Sequence, residues 1–519
     1  MKEFHSFNRR FVLRTKSPDF ERSMVITMNR KRIRKVVIFF TVLLLFPTVT
    51  VQAERTVYTY TYDYWGIERE SPDAYQAVST ITGEEFGIGD FKDPQGLFVR
   101  ENRIYVCDTA NNRIVILERN GNDITLIDEF SEFTGDTSIN TLNEPHDIYT
   151  TENGDMYISD TGNQRVLHLN SQYELIKTMV RPVDETIDQA SDFLPMKLVA
   201  DRAGRVFVLV KNYNKGYLQY DNDGNFIGYI GANEVKFNMV DYIWKMLSTK
   251  EQRAQMEQFV PTEYNNIALD QDGFIYATTS VFNENELIND KAKPIRKLNS
   301  MGTDILIKNG EYPPIGDIWW GNAAGVTGPS KFIDVTALDN DTYYAIDKTR
   351  GRIFGYDYQG NLLYGFGSLG NKQGYFQFPT ALEHMGTDLL VLDSKNSGIT
   401  FFTLTQYGDL INKALDEYKR GNYDISAQYW EKVLMQNGNY DLAYIGIGRS
   451  LLRKQRYKEA MEYFKIALDD DNYSKAFRLY RKEWIEENIA WIFAGFFLII
   501  IAPLAIGKIK KIKKEVDEA

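Results

Sequence analysis

A strand-turn-strand segment that returns along the chain constrains its fold more than any other feature. It reads Ile104-Tyr105-Val106-Cys107-Asp108-Thr109-Ala110-Asn111-Asn112-Arg113-Ile114 and comes back as Met156-Tyr157-Ile158-Ser159-Asp160-Thr161-Gly162-Asn163-Gln164-Arg165-Val166. Tyr343 to Ile353, with Asp347 and Arg352, is a looser copy, and Leu389 to Asn396 a decayed one. A chain built this way uses one supersecondary unit many times and gains stability from stacked neighbours.

The strands before these segments align as well. Asp93-Pro94-Gln95-Gly96-Leu97, Glu144-Pro145-His146-Asp147-Ile148 and Leu194-Pro195-Met196-Lys197-Leu198 open three units. Asn265-Asn266-Ile267, Phe332-Ile333-Asp334-Val335 and Phe378-Pro379-Thr380-Ala381-Leu382 open three more. Turns such as Asn153-Gly154, Asp223-Gly224, Asp272-Gly273, Met301-Gly302 and Gln359-Gly360 separate short alternating strands. Four such strands per unit make a propeller blade. The Asp108 position maps to Asp160, Val210, Thr279, Asp347 and Asp393, at gaps of 52, 50, 69, 68 and 46 residues. A blade needs about 40–50 residues, so the long gaps hold insertions. The expected fold is mainly β: a six-bladed propeller, with Val57 to Tyr62 joining the last blade to close the ring.

On the Pro-x-Gly-Leu and Asp-Thr-x-Asn-x-Arg motifs, residues 57–405 resemble the NHL-repeat family. The resemblance implies a six-bladed propeller of the kind found in surface receptors and a few enzymes. In the repeated turns, Asp108, Asp160 and Asp347 are expected to cap backbone, with Arg113, Arg165 and Arg352 pairing to them. Their recurrence suits architecture better than a single active site.

Helical periodicity interrupts and follows the propeller. Phe237, Val240, Ile243, Trp244 and Leu247 mark an inserted helical pair over 232–261. After residue 405, Tyr423 and Tyr457 are 34 residues apart, as are Trp430 and Phe464. Residues 408–475 resemble two tetratricopeptide repeats, too few to stand alone, so they should pack on the propeller or on the helix that follows. Residues 406–488 are thus a helical segment.

Both ends carry membrane grammar. Arg30 to Lys35, the apolar Val36 to Leu45 and Val51-Gln52-Ala53 read as a signal peptide over 1–53, with Met24 or Met28 as a candidate start. Ile489 to Gly507 is an uncharged apolar run, about 28 Å of helix, followed by Lys508, Lys510, Lys511, Lys513 and Lys514. The positive-inside rule puts the basic tail 508–519 in the cytoplasm and the propeller outside. The chain is thus expected to be a single-pass bacterial membrane protein.

The chain holds 60 Lys and Arg against 71 Asp and Glu, and the acid excess lies between leader and tail. Such a surface repels phosphate backbones, which argues against nucleic acid as a partner. Cys107 is the only cysteine, so no intrachain disulfide forms.

Chemistry is sparse in the sequence. Outside the leader the histidines are His146, His168 and His384, one in each of three places. Asp221-x-Asp223-Gly224 and Asp270-x-Asp272-Gly273 look like calcium loops. In the first, however, Ala232 stands where the last ligand should be, so hairpin turns are expected. One constellation stands out. The residue before the first innermost-strand hydrophobe is Gly96, Asp147, Lys197, Asn266, Asp334 and Ala381 in the six blades. Equivalent positions converge on one mouth of the central channel, where Asp147, Lys197, Asn266 and Asp334 could hold a polar ligand. Trp319 and Trp320 are candidates for stacking on a sugar or a partner.

The function expected from these features is a non-enzymatic membrane-anchored scaffold without a cofactor. It would bind a carbohydrate or a membrane or extracytoplasmic protein, and it resembles companions of carbohydrate uptake systems. The alternative is a propeller enzyme of gluconolactonase or lyase type, with a divalent cation held by Asp147, Asp334 and Asn266.

Overall fold

The computed structural model describes residues 58–518, apart from 136, 186, 188, 214, 232–263, 281, 283, 290–291 and 321–325. The leader and the insertion over 232–261 lie outside the described residues.

Six sheets form the blades of a propeller. The first runs Gly96–Arg100, Arg103–Asp108, Arg113–Asn120 and Asp123–Phe130 from the inside out, all antiparallel. The second and third repeat that order over Pro145–Met179 and Pro195–Ile230. The second strands of the second to fifth blades are buried along their whole length, as in Met156–Asp160 and Val206–Val210, because a blade's middle is covered on both faces. The fourth blade has three strands among the described residues. The expected fourth, after Met301-Gly302, is reduced to an isolated bridge between Leu298 and Asp304.

Ring closure differs from the sequence expectation. Thr59–Tyr62 pairs with Leu362–Phe366 of the fifth blade, and Glu68–Glu70 extends that sheet to six strands. The strand that completes the sixth blade is Tyr75–Thr82, antiparallel to Gly398–Leu404. Tyr60 explains the difference. Its ring lies over Gly365, where a Cβ would come within 2.8 Å of it, and its hydroxyl reaches buried Asp317. Tyr60 therefore fits the bare face that Gly365 leaves on the fifth blade.

The repeated turns are architectural. Asp108 accepts from Lys92 N at 2.7 Å and from Arg113 Nε at 2.7 Å, and Asp160 accepts from Asn143 N and Arg165 Nε in the same way. Thr109 donates to the Pro145 carbonyl of the next blade, stitching neighbours together. The third copy departs from this pattern. Arg352 pairs with Asp317 at 2.9 Å, and Arg350 is the arginine near Asp347. Asp221 and Asp270 cap their own hairpin turns.

A short helix, α1 (Glu284–Ile288), lies in the fourth blade. Beyond the sixth blade, α2 (Gln406–Lys419), α3 (Tyr423–Gln436), α4 (Asp441–Arg453) and α5 (Tyr457–Ile466) pack in succession. Gly446 lets Trp430 close on α4, and Gly448 does the same for Phe464. These helices share one core with the propeller, in which Tyr407, Trp430, Tyr440 and Phe464 join Tyr75, Tyr364 and Phe366. Tyr440 also donates to the Leu363 carbonyl at 2.9 Å. Helix α6 (Asp470–Asp517) has 48 residues, about 72 Å. It is long and apolar enough to cross a membrane by length and composition.

Candidate functional site

A cavity of about 980 Å³ occupies the propeller's central channel. Its wall is made by the innermost strands, whose side chains alternate between channel and blade interior. One ring holds Gly96, Asp147, Lys197, Asn266, Asp334 and Ala381, so the four polar residues expected at the channel do converge there. Lys197 Nζ lies 3.3 Å from Asp147 Oδ1, and Asn266 Nδ2 donates to Asp334 Oδ1. Gly96 is required by closeness: a Cβ there would sit 2.6 Å from the His146 carbonyl oxygen and 2.8 Å from Cys107 Sγ.

Two residues further along the same strands lies a second ring, Phe98, Tyr149, Val199, Ala268, Thr336 and Glu383. Sequence reasoning missed it, although the period of two that placed the first ring also gives the second. Phe98 and Tyr149 meet at 4.9 Å and form an aromatic wall. Opposite in character are Thr336, Glu383 and His384. Thr336 Oγ1 is 3.3 Å from Glu383 Oε2 and 2.7 Å from His384 Nδ1.

Burial tunes these groups. It pushes the Glu383 carboxyl up to about 8, with the Asp334 charge adding to the effect. Burial also raises Asp334 to about 6, against the pull of Lys197 and the Leu382 N–H, and raises Asp147 against Lys197. Burial alone would lower the Lys197 ammonium, but Asp147 and then Asp334 more than offset it and hold the group above its usual range. Burial lowers His384. The floor of the channel therefore sets a fixed cation beside a carboxyl that changes charge near neutrality.

The donor set does not fit a divalent cation at Asp147, Asp334 and Asn266. Asp147 Oδ2 accepts from Leu198 N at 2.9 Å, and Asp334 Oδ2 from Leu382 N at 2.8 Å. Their other oxygens face Lys197 and the Asn266 amide. Among the described residues no group of three or more His, Cys, Asp or Glu is arranged to hold a metal.

Trp319 and Trp320 do not line this channel. Trp319 is exposed, with its indole N–H bonded to the Gly66 carbonyl, and Trp320 bonds the Asp317 carbonyl at 2.7 Å.

No family model matches the chain, and no curated protein matches it. The NHL and tetratricopeptide names therefore rest on resemblance alone. Among solved structures the chain is similar to virginiamycin B lyase from Staphylococcus aureus, at 11% identity, covering 64% of this chain and 100% of that one, with a TM-score of 0.37. A streptogramin B lyase matches at 11% identity over the same shares, with a TM-score of 0.39. A protein of unknown function from Bacteroides thetaiotaomicron matches at 11% identity, over 67% of this chain and 91% of that one, with a TM-score of 0.39. Likenesses this distant are of fold alone.

The channel corrects the expectation of a scaffold without chemistry of its own. Its wall carries Glu383, which accepts from Thr336 Oγ1 and His384 N and whose carboxyl burial pushes up to about 8.

Proposed function

We propose that the central channel is the active site of a lyase-type enzyme working by proton transfer, with α6 holding the chain at a membrane. Glu383 carries this reading. It sits in the channel wall, its hydrogen bonds from Thr336 Oγ1 and His384 N are both long at 3.3 Å, and it titrates near 8. A base poised near the working pH is the condition for general catalysis, worth about 10²–10⁴-fold.

Glu383 takes the proton from a carbon next to a substrate carbonyl. The electron pair forms a carbon–carbon double bond as the bond from the β-carbon to an oxygen leaving group breaks. Glu383, now protonated, returns the proton to that oxygen. Lys197 donates to the carbonyl oxygen as negative charge develops there. Asp147 and Asp334 keep Lys197 protonated, and Phe98 and Tyr149 seat the apolar side of the substrate. No step is routed through a metal. The basic residues from Lys508 to Lys514 support a cytoplasmic tail with the propeller outside.

The test is a screen of the full chain in detergent against β-alkoxy carbonyl compounds, including uronate oligomers. It reads the ultraviolet absorbance of the new conjugated double bond. Turnover that falls at least 100-fold in Glu383→Gln is expected. No product from any compound, or equal turnover in the variant, overturns the reading.

A further inference from the structure

A second cavity, of about 800 Å³, lies between the fifth blade and the helices. Tyr62, Tyr64 and Tyr312 line it from the propeller, and Tyr418 and Arg449 from the helices. We propose that this cleft and the aromatic rim beside it bind a neutral oligosaccharide, at a site separate from the channel.

The rim is built to face outward. Trp65 and Trp319 are each 65% exposed and Tyr64 is 40% exposed. Large aromatic rings seldom remain this open without a use. They are also held in place. Trp319 donates its indole N–H to the Gly66 carbonyl, Trp65 N donates to Asp63 Oδ1 at 3.0 Å, and Tyr312 donates to the Tyr64 carbonyl at 2.9 Å. Gly66 has φ +70, and a Cβ there would meet Ile318 at 2.8 Å, so the hairpin and the 312–319 loop close tightly on each other. With its indole nitrogen tied to backbone, Trp319 offers a fixed apolar face that needs no ordering on binding, and the main chain that carries Tyr64 and Trp65 is held by Tyr312 and Asp63.

The cleft behind the rim has the complementary chemistry. Glu311 and Asp441 supply carboxylates, while Arg449, Arg453 and Lys475 supply cations. Sugar hydroxyls donate to the first set and accept from the second, and ring C–H faces stack on the aromatics. An apolar peptide anchor would find few pockets in so mixed a lining. A lipid surface is disfavoured by position. The cleft reaches Lys475 in α6, 14 residues and about 21 Å of helix before the apolar run begins at Ile489.

The test titrates the full chain in detergent with cellotetraose, xylotetraose, maltotetraose and chitotetraose, following tryptophan fluorescence and calorimetric heat. At least one is expected to bind with a Kd below 1 mM, with at least tenfold weakening in Trp319→Ala and in Trp65→Ala. Binding should be unchanged in Glu383→Gln, which separates this site from the channel. Failure of all four sugars to bind overturns the proposal. So does binding that survives both tryptophan variants, or a fluorescence response to phosphatidylglycerol vesicles alone.

Discussion

Asp334 in the fifth blade accepts the backbone N–H of Leu382 in the sixth at 2.8 Å. Asp147 in the second accepts that of Leu198 in the third at 2.9 Å. Equivalent positions thus do equivalent work, fastening one innermost strand to the next, and the same carboxylates hold Lys197 charged. Structure and proposed chemistry share these two side chains.

Removing one partner from the Asp147–Lys197 pair should therefore be costly. Both side chains are nearly buried, and an uncompensated buried charge typically costs about 3–5 kcal/mol. Asp147→Ala is expected to lower thermal stability by that order. The double variant Asp147→Leu with Lys197→Met should lose markedly less, because no charge is stranded. Thermal unfolding of the three proteins in one detergent checks this.

Stability should fall as pH rises through the range where Glu383 titrates. Its folded value, about 8, is above that of an unfolded glutamate. The folded state therefore holds more protons between about 4.5 and 8, and its advantage is lost as pH climbs through that window. Asp334 adds a smaller loss between about 4 and 6. Melting temperatures from pH 5 to 9 should decline more steeply in the native protein than in Glu383→Gln.

The turn aspartates should matter for folding and not for the channel. Asp160 and Arg165 are both buried, and Asp160 also accepts from Asn143 N and Asn163 Nδ2. Asp160→Ala strands Arg165 and should cost about 3 kcal/mol. Turnover per folded molecule, measured beside thermal unfolding, should stay within about twofold of the native protein.

Gly96→Ala places a methyl group 2.6 Å from the His146 carbonyl oxygen. Backbone is the obstacle there, so the second blade must shift. Overpacking of this kind costs about 1–3 kcal/mol. Because His146 adjoins Asp147, the variant should also perturb Lys197, seen as a loss of turnover beyond the loss of stability.

Much of the fold was legible because strands and turns repeat. The period of two, the Asn-Gly and Asp-Gly turns and the spacing of Asp108, Asp160, Asp347 and Asp393 located the blades. The closing strand was not legible. Tyr58-Thr59-Tyr60-Thr61-Tyr62 alternates as a closing strand should, but only tertiary contact shows that Tyr60 needs the bare surface over Gly365. Tyr75–Thr82 closes the ring with an ordinary alternating pattern. In the site, Asp147, Lys197, Asn266 and Asp334 were found from register alone. Glu383, two residues beyond Ala381 on the same strand, was not legible. Its chemistry comes from burial beside Asp334, a contact between blades that no local pattern encodes.

The account turns on the ionisation of Glu383, which carbon-13 labelling of glutamate carboxyls can follow directly. A resonance absent from Glu383→Gln should titrate near pH 8, move to lower pH in Asp334→Asn and move to higher pH in Lys197→Met. A midpoint between 4 and 5, unmoved by either substitution, would contradict a poised base in the channel.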